Sequence, residues 1–103
     1  MPKEITDATF YQDVIASEIP TLVDFWAPWC GPCKILGPIM ETVSAKTQGK
    51  ANVFKINVDE NPESATRYQV TGIPTVILFR YGQVFKTFVG VQPEKVYLDA
   101  VSL

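Results

Sequence analysis

The sequence predicts an α/β fold in which one mixed sheet carries helices on both faces. Segments with the periodicity of strands alternate with segments of helical periodicity along the chain, and this alternation is typical of a sheet covered by helices. The chain has 103 residues, the usual length of one domain, and it can bury a core without metal or disulfide staples. No linker or internal repeat divides the sequence. We therefore expect a single domain over residues 1–103.

The composition excludes several classes of protein. Apolar residues make up 47% of the chain and aromatic residues 12%, which excludes a disordered protein. The net charge of −2 argues against nucleic acid or an acidic membrane as the main partner. The chain contains no histidine, so histidine acid–base chemistry, Cys2His2 zinc sites and Ser-His-Asp triads are excluded. No apolar stretch is long enough to span a membrane.

The first elements are a short helix and a buried strand. The apolar spacing in residues 10–15 fits an amphipathic helix that Thr6 or Asp7 can cap. Leu22–Trp26 is apolar on both sides, as in a central strand, and Asp24 is the anomaly inside it. A lone buried carboxylate is costly unless it is paired or functional. We expect burial to raise the pKa of Asp24 above its unfolded value of about 3.9.

The middle of the chain predicts a long helix, a strand and a short helix. Apolar residues on one helical face at 36–43 predict a helix that is kinked at Pro38 and ends near Gly49. Val53–Val58 has the pattern of a second strand. An Asn-Pro pair then supplies an N-cap and a first-turn proline for a short helix over 61–68.

The last third predicts a hairpin followed by a helix. Thr75–Phe79 is β-branched and aromatic, and Arg80–Gln83 has the composition of a turn into a fourth strand, Val84–Val89. Gly90 ends that strand, and a final amphipathic helix begins at 92–93 with its apolar face on Tyr97, Leu98 and Val101. These patterns give four strands, because the segment before residue 10 shows no strand pattern.

The two cysteines form a C-x-x-C pair at the predicted start of the long helix. Cys30 and Cys33 are three residues apart, a spacing that places helical Cα atoms about 5–6 Å from each other, within disulfide range. The unpaired N–H groups and the positive dipole end of a helix favour a thiolate at Cys30, which we expect to be exposed. Pro32 presets the first helical turn, and Gly31 permits a tight turn.

Two other interpretations of the cysteine pair are weaker. A staple across a four-residue loop stabilises a protein by only about 2 kcal/mol. A zinc site would lack ligands unless a dimer shared the metal. The residues therefore favour a redox dithiol with a reversible disulfide and neither a metal nor a cofactor. The N-terminus has no signal-peptide pattern, so we expect a reducing, cytoplasmic location, with a mature organellar form left open.

The residues around this pair resemble the active-site signature of the thioredoxin family. The segment 26–34 reads Trp-Ala-Pro-Trp-Cys-Gly-Pro-Cys-Lys. Five other segments resemble further motifs of the family and occur in the same order and at the same spacing. They are Val23–Trp26, Pro38, Lys55–Asp59, Gly72–Thr75 and Val89–Gly90. The resemblance covers almost the whole chain. It implies the thioredoxin fold, a central mixed five-stranded sheet flanked by four helices, and general reduction of protein disulfides by dithiol–disulfide exchange.

The resemblance also implies a role for each matching residue. Cys30 would attack the target disulfide, and Cys33 would resolve the mixed disulfide. Asp24 would lie beneath Cys33 and exchange protons with it, while Lys55 would lie near Asp24 and tune it. Ile73 and a cis Pro74 would face the disulfide. The residues implied to bind the substrate are Trp29, Gly31, Pro32, Ile73, Pro74 and Gly90.

The implied partners are disulfide-containing target proteins and a thioredoxin reductase, either an NADPH-dependent flavoprotein or a ferredoxin-linked enzyme. We expect a monomer that binds neither nucleic acid nor membrane. Two positions depart from the common family pattern. Val91 replaces a frequent alanine and would narrow the groove beside Gly90. Gly37 also replaces a frequent alanine, at a cost of up to about 1 kcal/mol in an exposed helix.

Several alternatives remain open from the residues alone. Asp24 and Lys55 can form a simple buried ion pair, Pro74 can be an ordinary trans proline, and both tryptophans can be core residues, although the spacing favours an exposed Trp29. The activity has two rivals on the same fold, a disulfide oxidant or isomerase and a non-catalytic binding subunit. Gly31-Pro32 places no cation between the cysteines, and this favours the reductant.

Overall fold

Five strands form one mixed sheet in the computed structural model, which describes residues 1–102. The strands are β1 (Lys3–Ile5), β2 (Thr21–Trp26), β3 (Asn52–Asn57), β4 (Thr75–Arg80) and β5 (Gln83–Val89). Their order across the sheet is β1-β3-β2-β4-β5. β1, β3 and β2 are parallel neighbours, whereas β4 is antiparallel to both β2 and β5. The expected mixed five-stranded sheet is confirmed.

In the described residues, 1–102, four helical segments cover the two faces of this sheet. They are a π-helical turn (Tyr11–Ile15), α1 (Gly31–Lys46), α2 (Pro62–Arg67) and α3 (Glu94–Val101). Alternate residues of β2 enter two separate clusters: Leu22 packs with α1 and α3, and Val23 packs with the π-helical turn and the residues next to α2. Helices on both faces leave the central strand buried from Thr21 to Phe25, as the sequence predicts for an apolar run of this kind. Among residues 1–102 no helix has the length and apolar character needed to cross a membrane.

The long helix and the hairpin follow their sequence patterns closely. Pro38 lies inside α1, which continues to Lys46, and Gly49 follows in a turn with φ +82°. The hairpin turn falls at Tyr81 and Gly82, which have φ values of 51° and 77°. Positive φ at both central positions matches the right-handed twist of the flanking strands.

The strand that the residue patterns do not show is β1. It has three residues, of which Lys3 and Glu4 are exposed and only Ile5 is buried. It pairs with β3 in parallel, and Glu4 lies opposite Lys55 in the register. A strand this short and this charged is held by its backbone pairing and one apolar contact, so hydrophobic alternation cannot reveal it.

The expected helix caps at Asp7 and Asn61 do not form, and the structure joins these two residues to each other and to α2 instead. Asp7 does not cap the first helical segment, which starts without a side-chain cap. Its carboxylate accepts hydrogen bonds from the backbone N–H of Glu63 (3.1 Å) and Ser64 (2.9 Å), and from the Ser64 hydroxyl (2.7 Å). Asn61 occupies the N-cap position of α2 without capping it, and its side chain instead accepts from the Asp7 N–H at 2.8 Å. Asp7 thus caps α2 across the fold.

We expect Asp7→Ala to lower the free energy of unfolding by about 1–2 kcal/mol, because two N–H groups of α2 and a buried hydroxyl lose their acceptor. Urea unfolding followed by circular dichroism measures the loss. Asp7→Asn keeps an acceptor oxygen of similar position and is the matched control, with a smaller expected loss. Equal stability of Asp7→Ala and the native chain would contradict the cap.

Candidate active site

The cysteine pair lies where the central strand passes into the long helix. Cys30 occupies the N-cap position of α1 in an extended conformation (φ −88°, ψ 113°), and the helix begins at Gly31. Cys30 and Cys33 form a disulfide with their Cα atoms 5.3 Å apart. The backbone N–H of Cys33 donates a hydrogen bond to the Cys30 sulfur at 3.2 Å. The sulfur thus takes the place that a serine or aspartate oxygen usually holds at a helix start.

Cys30 is more enclosed than the sequence suggests, and Cys33 is buried with it. Cys30 is 4% exposed and Cys33 is 7% exposed. The expectation of an exposed Cys30 is therefore wrong for the disulfide form. The physical reason is the loop before β4, because the Ile73 carbonyl oxygen lies 3.7 Å from the Cys30 sulfur and the Ile73 side chain packs against the pair.

This loop has the conformation that the resemblance implies. The Ile73–Pro74 peptide is cis, Pro74 is buried and Ile73 is half-buried. The Pro74 carbonyl accepts a hydrogen bond from the Gly90 N–H at 2.8 Å. Gly90 has φ +86°, a conformation that favours glycine. The bond joins the loop before β4 to the loop after β5, and it places Gly90 beside the residues that cover the disulfide. Val91 is half-buried and packs against the core cluster of α1 and α3.

The two tryptophans lie in different environments, as their spacing predicts. The Trp29 side chain is 70% exposed, and Trp26 is half-buried against the cysteine cluster. The Trp29 indole N–H donates to Asp59 Oδ2 at 2.9 Å, which fixes the exposed ring. The residue patterns did not assign Asp59 to the site. The sequence could have indicated Asp59 by its position just after β3, because the parallel strands β2 and β3 end at the same edge of the sheet.

Asp24 is buried in the centre of β2, with 3% of the residue exposed. Its Oδ1 atom is buried and has no hydrogen-bond partner in the part of the chain that the structure describes. Burial raises the pKa of Asp24 from 3.8 to about 7, and the Lys55 charge lowers it while the Glu4 charge raises it. The expected direction of this pKa shift is confirmed. Asp24 is therefore a carboxyl group that gains or loses a proton near neutral pH.

A cavity of about 210 Å³ connects Asp24 with the redox pair. Asp24, Cys33 and Lys55 all line it, together with Trp26 and Gly37. A second cavity of about 270 Å³ reaches Asp24 from the side of Met1 and Glu41. Both cavities are large enough to hold water, and Asp24 and Lys55 provide polar groups in their otherwise largely apolar walls.

Lys55 is a register neighbour of Asp24 but does not form the simple buried ion pair that the sequence left open. The two residues lie opposite each other on β3 and β2. The Lys55 ammonium is 3.9 Å from Glu4 Oε1 and 4.8 Å from the centre of the Trp26 ring. Its side chain is 41% exposed. Glu4 is a second site residue that the residue patterns missed, because its strand was not predicted.

The remaining predicted site residues surround the disulfide. Gly31 and Pro32 are exposed between the two cysteines. Within residues 1–102 no three His, Cys, Asp or Glu side chains are grouped to hold a metal ion. The cysteines are bonded to each other, so the zinc interpretation finds no support.

The site defines a class of α/β protein in which a disulfide at a helix start lies beside a buried carboxyl group and a cis-proline loop. A family profile described as thioredoxin matches residues 1–102. Thioredoxin of Rickettsia conorii is 43% identical over 102 residues, which covers 99% of this chain and 97% of that protein. Thioredoxin of Synechocystis sp. is 46% identical over 91 residues, 88% of this chain and 85% of that protein.

A bifunctional thioredoxin reductase/thioredoxin of Mycobacterium leprae is 46% identical over 99 residues, which covers 96% of this chain and 22% of that protein. The chain belongs to the thioredoxin family. Its function is dithiol–disulfide redox chemistry, and the Cys30–Cys33 pair carries that chemistry without a separate cofactor.

We expect the disulfide form of Asp24→Asn to become increasingly more stable than the native chain as pH rises from about 4 to above 7. The unfolded carboxyl group has a pKa of 3.8 and the folded one about 7. The unfolded chain therefore loses its proton first, and native stability falls across this interval. The pH-dependent gain is at most about 4 kcal/mol, at about 1.4 kcal/mol for each pKa unit.

Urea unfolding of both proteins at several pH values between 4 and 8.5 measures this difference. Any constant effect of the asparagine amide is the same at every pH, so the slope of the difference reports Asp24 alone. A stability difference that does not change with pH would show that Asp24 does not titrate in this interval.

Proposed function

We propose that the chain is a general protein-disulfide reductase in which Cys30 is the nucleophile. The observation that carries the proposal is the Cys30–Cys33 disulfide at the start of α1, with the Cys33 N–H directed at the Cys30 sulfur. In the reduced protein this N–H and the positive end of the helix stabilise negative charge on Cys30. Cys33 lies within the first turn and has no equivalent place at the helix start.

The first step forms a mixed disulfide. The Cys30 thiolate attacks one sulfur of the target disulfide, the bond between the two target sulfurs breaks, and the other target sulfur leaves as a thiolate. On our proposal the Asp24 carboxylate then takes the proton of the Cys33 thiol through water admitted to the 210 Å³ cavity that both residues line. The pKa of Asp24, raised by burial to about 7, suits a base that works near neutral pH.

The second step releases the target. The Cys33 thiolate attacks the Cys30 sulfur, the mixed disulfide breaks, and the second target sulfur leaves as a thiolate. Two electrons have then passed to the target, and the chain is left with the Cys30–Cys33 disulfide found in the structure. The spacing of the pair supports this intramolecular step, because the two sulfurs meet without movement of the backbone.

The exposed residues around the disulfide support a docking surface for the target protein. Trp29 supplies a large exposed ring that Asp59 holds in place. On our proposal the target chain lies between this ring and the joined loops of Ile73 and Gly90. Cys30 lies beside these residues, so a target docked on this surface would present its disulfide to the Cys30 thiolate. The substrate-binding residues of the proposal are Trp29, Gly31, Pro32, Ile73, Pro74 and Gly90.

A thioredoxin reductase is the proposed source of electrons. The bifunctional relative from Mycobacterium leprae is named as both a thioredoxin reductase and a thioredoxin. The combination of both in one protein supports a thioredoxin reductase as the partner of this chain. An NADPH-dependent flavoprotein and a ferredoxin-linked reductase both fit the proposal. We further propose that the chain acts as a single-domain monomer in the cytoplasm.

We expect Cys33→Ser to trap insulin as a stable mixed disulfide on Cys30, because the resolving thiol is missing. Cys30→Ser should trap little insulin, and it is the matched control because it also retains one thiol. Non-reducing gel electrophoresis followed by mass spectrometry measures the adducts. Equal trapping by the two variants would contradict the assignment of the nucleophile.

The native chain should also accelerate the reduction of insulin by dithiothreitol, measured as turbidity. A non-catalytic binding subunit would give no acceleration. An oxidant or isomerase would instead reactivate reduced, unfolded ribonuclease faster than it reduces insulin. Either result would overturn the proposed reductase.

A further inference from the structure

Three charged residues form a row across three neighbouring strands. Glu4 on β1 lies opposite Lys55 on β3, and Lys55 lies opposite Asp24 on β2. Register partners on parallel strands point to the same face of a sheet. This face is the one covered by α1, because Asp24 and Lys55 line the cavities against that helix. The row therefore ends at the carboxyl group that faces the redox pair.

Glu4 makes two contacts that fix the middle of the row. Its Oε2 atom accepts a hydrogen bond from the Trp26 indole N–H at 3.1 Å, and its Oε1 atom lies 3.9 Å from the Lys55 ammonium. The same ammonium lies 4.8 Å from the centre of the Trp26 ring. Glu4, on the edge strand β1, thus draws the cation toward that edge, and the Trp26 ring, whose indole N–H is bonded to Glu4, gives the ammonium a second contact. Asp24 Oδ1, at the other end, has no hydrogen-bond partner within residues 1–102.

We propose that Glu4 is a positioning residue that holds the Lys55 ammonium over Trp26 and away from Asp24, which leaves Asp24 free to accept a proton. The inference deepens the proposed function, since it rests on Asp24 as the acceptor for the Cys33 proton. A carboxylate in close contact with a cation is a weak base, because the cation stabilises its charged form. Without Glu4, the buried Asp24 carboxylate competes only with the Trp26 ring for the Lys55 ammonium.

Two contacts hold Lys55, and each is weak by itself. The side chains of Lys55 and Glu4 are 41% and 45% exposed, so water screens their attraction. The ion pair and the cation–π contact act together, however, and they compete only with another rotamer of one flexible side chain. Moving Lys55 toward Asp24 would also withdraw its ammonium from water, which opposes the move.

Other charged or titratable groups face Asp24 from the surrounding elements. Lys34 and Glu41 of α1 line the cavities that contain Asp24, as does Met1 at the amino terminus. Tyr97 of α3 is buried, and Asp24 is one cause of its raised pKa. Cys33 is bonded in the disulfide and does not titrate. All of these groups stay in place in the experiment below, so differences between variants report Glu4 and Lys55.

Glu4→Gln tests the proposal because it removes the charge and keeps the shape. A glutamine oxygen still accepts the Trp26 hydrogen bond, so the indole keeps its partner. Titration of the ¹³C-labelled Asp24 carboxyl group in the disulfide form, followed by NMR, measures its pKa without interference from the thiols. We expect the pKa of Asp24 to fall by about 0.5–1 unit, because a negative charge is lost and Lys55 moves closer. Glu18→Gln is the matched control, because it removes an exposed charge just before the first residue of β2. It should leave the pKa of Asp24 unchanged.

A second pair of variants separates positioning from the direct effect of the Glu4 charge. In a Lys55→Gln background there is no ammonium to hold, so only the direct charge effect of Glu4→Gln remains. We expect the fall in the pKa of Asp24 to be less than half of that in the native background. An unchanged pKa in Glu4→Gln, or a fall of at least half the size in the Lys55→Gln background, would overturn the proposal.

The failure of this inference is distinguishable from the failure of the proposed function. The titration uses the disulfide form and requires no turnover. Asp24→Asn, assayed in parallel for insulin reduction between pH 6 and 8, tests the proton acceptor itself. Reduction at the native rate by Asp24→Asn would remove Asp24 from the mechanism, whereas the titrations would still decide where Glu4 holds Lys55.

Discussion

The hydrogen bond from the Cys33 amide to the Cys30 sulfur joins the chemistry of the pair to the fold. It exists because β2 ends at Trp26 and α1 begins only a few residues later, so the sulfur of Cys30 meets the unpaired amides of a helix start. A sulfur in the N-cap position is a weak cap as a thiol and a strong one as a thiolate. The state of the cysteine pair and the stability of the helix start are therefore coupled through one contact.

Asp24 lies near the cysteine pair because it is part of β2, the strand that precedes Cys30 and the start of α1. Apolar side chains fill both faces of β2 around Asp24, which explains why burial dominates its raised pKa. An apolar residue at this position would make the folded protein more stable at neutral pH. A local breach of the hydrophobic pattern inside an otherwise consistent strand is the kind of departure expected at a functional site.

The strands and helices with a hydrophobic pattern of their own could be predicted from the sequence. The features that depend on contacts with residues far away in the chain could not. The central strand and the long helix that continues through Pro38 follow from patterns within one segment, and the structure confirms both. In contrast, β1 has one buried residue, and only its pairing with β3 makes it a strand. The capping of α2 by Asp7 links residues far apart in the chain, so no local signature announces it. The burial of Cys30 likewise depends on the loop at Ile73.

The missed strand changes how the site is understood, because it supplies the group that the local motif lacks. The motif around the cysteines contains nothing that decides where the Lys55 cation lies. That position depends on the register of β1 against β3, which brings Glu4 beside Lys55. A residue in a marginal edge strand can thereby influence a carboxyl group in the central strand, since the parallel pairing aligns their side chains on one face. The charges that act on Asp24 therefore come from residues on three strands of the sheet and not from the active-site motif alone.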